Sequence, residues 1–178
     1  MNQRVLCIAH TFLVGVAVYL LCKQEHYNAR SVLSTMVTFS NQVTVISAVG
    51  SVMHIVGIRM HGAMDVLALY NALIALVFYA LIVPLNNGTS TMLDFVVHAL
   101  APLFFLMSWY NGKKSQVLSN RTLVFAYPAC YFFFAWYISY RRGYWLYPLF
   151  NVPCITIVIV TIEALRKAYI SCLLSFTQ

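Results

Sequence analysis

Six apolar runs, each near bilayer-spanning length and joined by short polar links, dominate this chain. A helix crossing the hydrocarbon core needs about 20 apolar residues. The runs fall near residues 4–22, 34–58, 65–84, 93–110, 122–140 and 152–171. Six spans and their links use up the 178 residues. The expected architecture is therefore a single all-α domain over residues 1–178, a bundle of about six transmembrane helices. Composition agrees, because only 8% of the residues are charged and 62% are hydrophobic. A soluble domain carries about 25% charged residues, so this chain cannot cover a water-facing surface. The first run follows a lone Arg4. It is long for a signal-peptide core and lacks a small-x-small cleavage site, so it reads as a retained helix.

The eleven Lys and Arg outnumber the four Asp and Glu. They are scattered singly or in pairs between the apolar runs, which excludes nucleic acid as a partner and suits topology determinants and lipid-headgroup anchors. One side of the expected membrane carries Arg4, Arg59, Lys113, Lys114, Arg121, Arg166 and Lys167; the other carries Lys23, Arg30, Arg141 and Arg142. Seven against four places both termini in the cytoplasm. The five cysteines form no CxxC pair and lie in or beside apolar runs, where they read as small buried hydrophobes. Tyr140, Tyr144, Trp145 and Tyr147 fit an interfacial aromatic belt, or a short cap over a site on the outer face.

Ionisable groups inside spans are expensive and require a reason. Asp65, Asp94 and Glu163 fall near helix ends, where they can reach water. Asp65 and Asp94 open helices, and a carboxylate suits the positive end of the dipole. His10 reads as a packed or interfacial side chain. His54, Arg59, His61 and Asp65 lack the compact spacing of a zinc motif, and no metal is expected there. His98 stands about one and a half turns into the fourth run, four residues after Asp94, so both project from one face. Pro102 follows four residues later and deprives the His98 carbonyl of its helical donor, which predicts a kink at a buried histidine. The plain reading is a helix-start Asp, a hydrogen-bonded His and a membrane proline. The functional reading is a base held by a carboxylate beside a cavity. In the second run, Thr38 and Asn41 are three apart and share a face. Spans two and four run in the same direction if six spans are counted, so these polar residues should meet in the outer leaflet.

The stretches Met36–Gln42 (MVTFSNQ), Leu93–Trp109 (LDFVVHALAPLFFLMSW) and Gly143–Pro148 (GYWLYP) resemble the androgen-induced membrane hydrolase family and its bacterial relatives. Their order and spacing fit the family, and the likeness extends over roughly residues 30–155. The resemblance implies a threonine hydrolase that cleaves fatty-acid-type esters, with Thr38 as nucleophile and His98 as base. Asn41 falls in the T-x-x-N-like stretch. Asp94 departs in charge from the Asn or similar polar group that family members carry there. Thr35, one turn before Thr38, offers a second hydroxyl. The implied mechanism is acyl transfer to the Thr38 Oγ, with His98 as general base and then acid, Asp94 orienting His98, and Asn41 or a backbone N–H donating to the oxyanion. Arg141 and Arg142 would hold a substrate head group or act as interfacial anchors. The chemistry requires no metal or organic cofactor. The expected partners are the lipid bilayer and a hydrophobic ester; the sequence leaves the oligomeric state open. A transporter would instead show mid-membrane polar groups and repeats, and a non-catalytic membrane component would dispense with Thr38.

Overall fold

The computed structural model describes residues 2–25, 35, 38–58, 60–85, 88, 90–112, 118, 120–143 and 152–175. Helix α1 (Gln3–Gln24) starts after Asn2, whose Oδ1 accepts the Arg4 N–H at 2.9 Å. A short polar side chain there takes up an amide that the first turn leaves bare. Helix α2 (Phe39–Ile55) closes where Ile58 N–H bonds Met53 O at 2.9 Å and Gly57 N–H bonds His54 O at 3.1 Å. This glycine-terminated end needs a left-handed residue, and Gly57 supplies it at φ 90°.

Helix α3 (His61–Val77) continues into a π-helical segment, π1 (Phe78–Ile82), and a last turn, α4 (Val83–Leu85). The next rod is built the same way, from α5 (Met92–Phe95), π2 (Val96–Leu100) and α6 (Ala101–Tyr110). Helices α7 (Arg121–Arg142) and α8 (Val152–Ser175) follow. No strand occurs among the described residues. The protein is all-α and polytopic, and the segments Gln3–Gln24, His61–Ala80, Met92–Tyr110 and Arg121–Arg142 are each long and apolar enough to cross a membrane.

The expected kink at Pro102 is realised as the π segment. Its wide turn closes with Ala101 N–H on Val96 O, five residues back. Pro84 stands in the same relation to π1, where Val83 N–H reaches Phe78 O. In both rods the π segment begins six residues before the proline. A proline offers no N–H to the carbonyl four residues back, and one wider turn shifts the register of the hydrogen bonds around the gap.

The second span is shorter than expected. Thr38 has an extended backbone (φ −71°, ψ 145°) and stands just outside α2, whose 17 residues measure about 25 Å at 1.5 Å each. The third span begins earlier than expected, at His61. Asp65 therefore sits in its second turn rather than opening it.

Two compact units divide the chain, Met1–Lys114 and Ser115–Gln178. In the first, α1 packs against α2 and α6, and α3 packs against α2 and α6. His10 near the start of α1 meets Ser51 near the end of α2 (2.9 Å), so these two helices are antiparallel. Cys7 Sγ lies 2.9 Å from Ser108 Oγ near the end of α6, and Ala17 packs with Val96 and Val97. The fourth rod is thus also antiparallel to α1, hence parallel to α2. Phe12, Val5, Ile8 and Leu103 are exposed, as lipid-facing side chains should be.

Buried polar side chains knit this unit from inside. Asn71 Nδ2 donates to Ser47 Oγ and to Leu67 O, both at 2.8 Å. Trp109 Nε1 donates to Asp65 Oδ1 at 2.6 Å. Asp65 is 0% exposed, which overturns the expectation that it reaches water: its longer helix carries it into the core, and the indole takes the place of solvent. In the second unit Glu163 is held by Arg166 (2.7 Å) and Arg121 (3.0 Å), and Arg166 Nη1 also donates to Leu118 O at 3.1 Å. The buried Arg166 thereby ties the stretch before α7 to α8.

Candidate functional site

The parallel run of α2 and the fourth rod brings their starting ends together. α2 packs against π2, and a cleft between α1, α2 and the fourth rod is lined by Ala17, Leu21, Asn41, Thr44, Leu93 and Val97, among others. Its cavity volume is about 20 Å³, room for about one water and much less than an acyl chain occupies.

Thr38 is the residue before the first turn of α2, a place that favours Ser and Thr. Its hydroxyl does not cap the helix but donates to Thr35 O at 3.2 Å. Asn41 Nδ2 donates to the same carbonyl at 2.9 Å, as does the Thr38 N–H at 3.2 Å. Thr38 and Asn41 thus share a partner, the Thr35 carbonyl, at the mouth of α2. Thr35 contributes its backbone, and the adjacent Met36 and Val37 lie outside the described residues.

His98 occupies the centre of π2. Its ring stacks on Phe78, with centroids 3.9 Å apart and 13° between planes. Nδ1 is buried and has no hydrogen-bond partner among the described residues. The two π segments therefore face each other through this stack, and His98 turns toward α3 and π1 while Val97, one residue earlier, lines the cleft with Asn41.

Asp94 does not hold His98. Its Oδ2 accepts from the Thr91 N–H and the Thr91 Oγ1 at 2.8 Å each, and Thr91 Oγ1 accepts the Asp94 N–H at 3.1 Å. This reciprocal box satisfies two bare amides of the helix start, as the helix-opening reading of Asp94 expected. The four-residue spacing put both side chains on one face, but the box turns the carboxylate back along the chain. Asp94 remains within electrostatic reach of His98 and Tyr79.

Arg141 and Arg142 are exposed in the last turn of α7, in the second unit. Tyr140, 77% exposed, precedes them; Arg59, Tyr144, Trp145 and Tyr147 lie outside the described residues.

Three participants escaped the sequence reading. Thr91 carried a signal, since T-x-x-D before an apolar run is a capping-box pattern. Phe78 carried a weaker one, the repeated six-residue offset to a proline. Ser51 carried none, because its bond to His10 depends on which faces of α1 and α2 meet; His10 itself, 0% exposed, is packed as the sequence suggested. Comparison of the chain with protein-family models, curated proteins and solved structures gave no match.

Proposed function

We propose that the protein is an integral membrane hydrolase of hydrophobic, fatty-acid-type esters, with Thr38 as nucleophile and His98 as general base. One observation carries the reading: α2 and π2 run parallel and pack together, so Thr38, Asn41 and His98 belong to one end of the bundle, and His98 has a buried ring nitrogen without a hydrogen-bond partner among the described residues. The resemblance of three sequence stretches to the androgen-induced membrane hydrolases supports the same assignment.

In this mechanism the His98 ring leaves its stack on Phe78 and swings toward α2. The Thr38 hydroxyl leaves the Thr35 carbonyl, its long 3.2 Å bond being readily exchanged, and gives its proton to the imidazole as Oγ attacks the ester carbonyl. The imidazolium returns the proton to the departing alkoxide. Asn41 Nδ2, released from the same carbonyl, donates to the oxyanion. Water then cleaves the acyl-threonine by the reverse proton path. Asp94 acts on His98 through its charge alone. The substrate enters from lipid, and closure over it requires the helix ends to part, because the cleft at rest holds no chain. Both termini are assigned to the cytoplasm from the Lys and Arg distribution, and Arg141 and Arg142 to the opposite interface as anchors for anionic lipid.

A second reading, a non-catalytic membrane component, is favoured by one feature: Asp94 completes a helix start through its box with Thr91, and the Thr38 hydroxyl is engaged by the Thr35 carbonyl just before α2, local structural roles sufficient to explain both. Hydrolysis of a long-chain nitrophenyl ester by the purified protein in nanodiscs separates the two. General acid–base catalysis contributes about 10²–10⁴ in rate. His98→Ala should lower kcat/KM by that factor, and Thr38→Ala should abolish turnover while Thr35→Ala retains it. Wild-type rates in folded Thr38→Ala or His98→Ala would defeat the hydrolase assignment.

A further inference from the structure

The first unit buries more polar chemistry than helix packing requires. On α2 the buried residues Thr44, Ser47 and Ser51 recur at three- and four-residue spacing, which aligns them in one stripe. Asn71 meets the stripe at Ser47, and His10 meets it at Ser51. Along it, three atoms have no hydrogen-bond partner among the described residues: Thr44 Oγ1, Asn71 Oδ1 and His10 Nε2. Their residues are 4%, 1% and 0% exposed.

Local rearrangement does not remove the deficit. A threonine inside a membrane helix ordinarily bonds back to the carbonyl one turn earlier, as Thr11 does to Cys7 O at 2.8 Å; Thr44 does not. Exchanging the Asn71 amide atoms would set its carbonyl oxygen against Leu67 O, which now accepts from Nδ2, and two acceptors would face each other. His10 has one ring nitrogen engaged with Ser51, and the Phe105 ring beside it offers no lone pair. Buried polar atoms without protein partners are the sites where folded proteins hold ordered water.

We propose that this seam binds internal water at Thr44 Oγ1, Asn71 Oδ1 and His10 Nε2. Thr44 also lines the α1–α2–π2 cleft beside Asn41, so the seam opens there, at a cavity of about 20 Å³ that suits a single water. From Thr44 to Ser51 the stripe spans about 10 Å at 1.5 Å per residue. The inference extends the hydrolase reading, and for its functional role rests on it: each turnover of an acyl-threonine consumes one water, and the seam brings that second substrate to a site embedded in lipid. The water sites themselves rest on geometry alone.

X-ray radiolysis of the wild-type protein in nanodiscs, in heavy-oxygen water, tests the seam. Radicals generated from bound water label neighbouring side chains, whereas peroxide photolysis in the bulk labels only exposed ones. The expected result is oxidation of His10 and of Cys7, one turn away, by the X-ray pulse, with loss of that labelling under peroxide photolysis. Background labelling at both residues in the pulse overturns the proposal. Labelling by both methods also overturns it, since the core would then be open to bulk solvent. Ester hydrolysis is not part of the readout, so a dry seam in an active enzyme and a wet seam in an inactive protein are distinct outcomes.

Discussion

The bond between Trp109 and Asp65 offers the sharpest test of how this membrane core is held. The indole N–H donates to Asp65 Oδ1 at 2.6 Å, and both side chains are buried, at 8% and 0% exposure. Hydrogen bonds between side chains in membrane bundles average about 0.6 kcal/mol and reach about 1.7 kcal/mol. In folded proteins generally, a hydrogen bond contributes about 0.5–1.5 kcal/mol. This bond is short, and it lies between two helices in the protein interior. Its coupling energy should fall in the upper part of those ranges, at about 1–1.7 kcal/mol. The measurement is a double-mutant cycle with Trp109→Phe, Asp65→Leu and the double variant, unfolded reversibly in a denaturing detergent and followed by circular dichroism. Trp109→Phe alone should lose more than the coupling, because a smaller ring also leaves a void. The double variant should recover part of the loss, since no acceptor is then left short of its donor. A coupling below about 0.5 kcal/mol, the level of independent positions, would refute a stabilising bond between α3 and α6.

Other parts of the structure make their own predictions. Thr91→Ala removes the capping box around Asp94 and should cost about 1 kcal/mol, read from the same detergent titration. Phe78→Ala deletes a buried ring, 6% exposed, and the platform under His98; it should cost about 3–5 kcal/mol, whereas Phe78→Leu should cost less and leave the fold intact in a thermal melt. In the second unit, Arg166→Ala should lower the melting temperature clearly and Arg121→Ala little, because Arg166 is buried with bonds to Glu163 and Leu118 while Arg121 is 67% exposed.

The spans were legible because hydrocarbon imposes a length and a composition on any helix that crosses it. The end of α2 was legible in Gly57, and the irregularity of the fourth rod in Pro102. The proline did not disclose the form the irregularity takes. A kink and a π turn both answer a missing N–H, and the sequence does not distinguish them. Spacing placed Asp94 and His98 on one face but could not tell that Thr91 would claim the carboxylate, since a local capping bond closes at little entropic cost. Asp65 was misplaced by four residues of helix, enough to move a carboxylate from water into the core. The pairing of His10 with Ser51 was not legible at all, because separate helices supply the two halves and only their packing brings them together.

The central claim, a threonine nucleophile served by His98 inside the membrane, is tested most directly by covalent capture. A long-chain alkyl fluorophosphonate incubated with the protein in nanodiscs, followed by peptide mapping by mass spectrometry, reports which hydroxyl attacks. The account predicts one adduct on Thr38 that is lost in a folded His98→Ala variant. An adduct on another residue, or none on the wild-type protein, would contradict it.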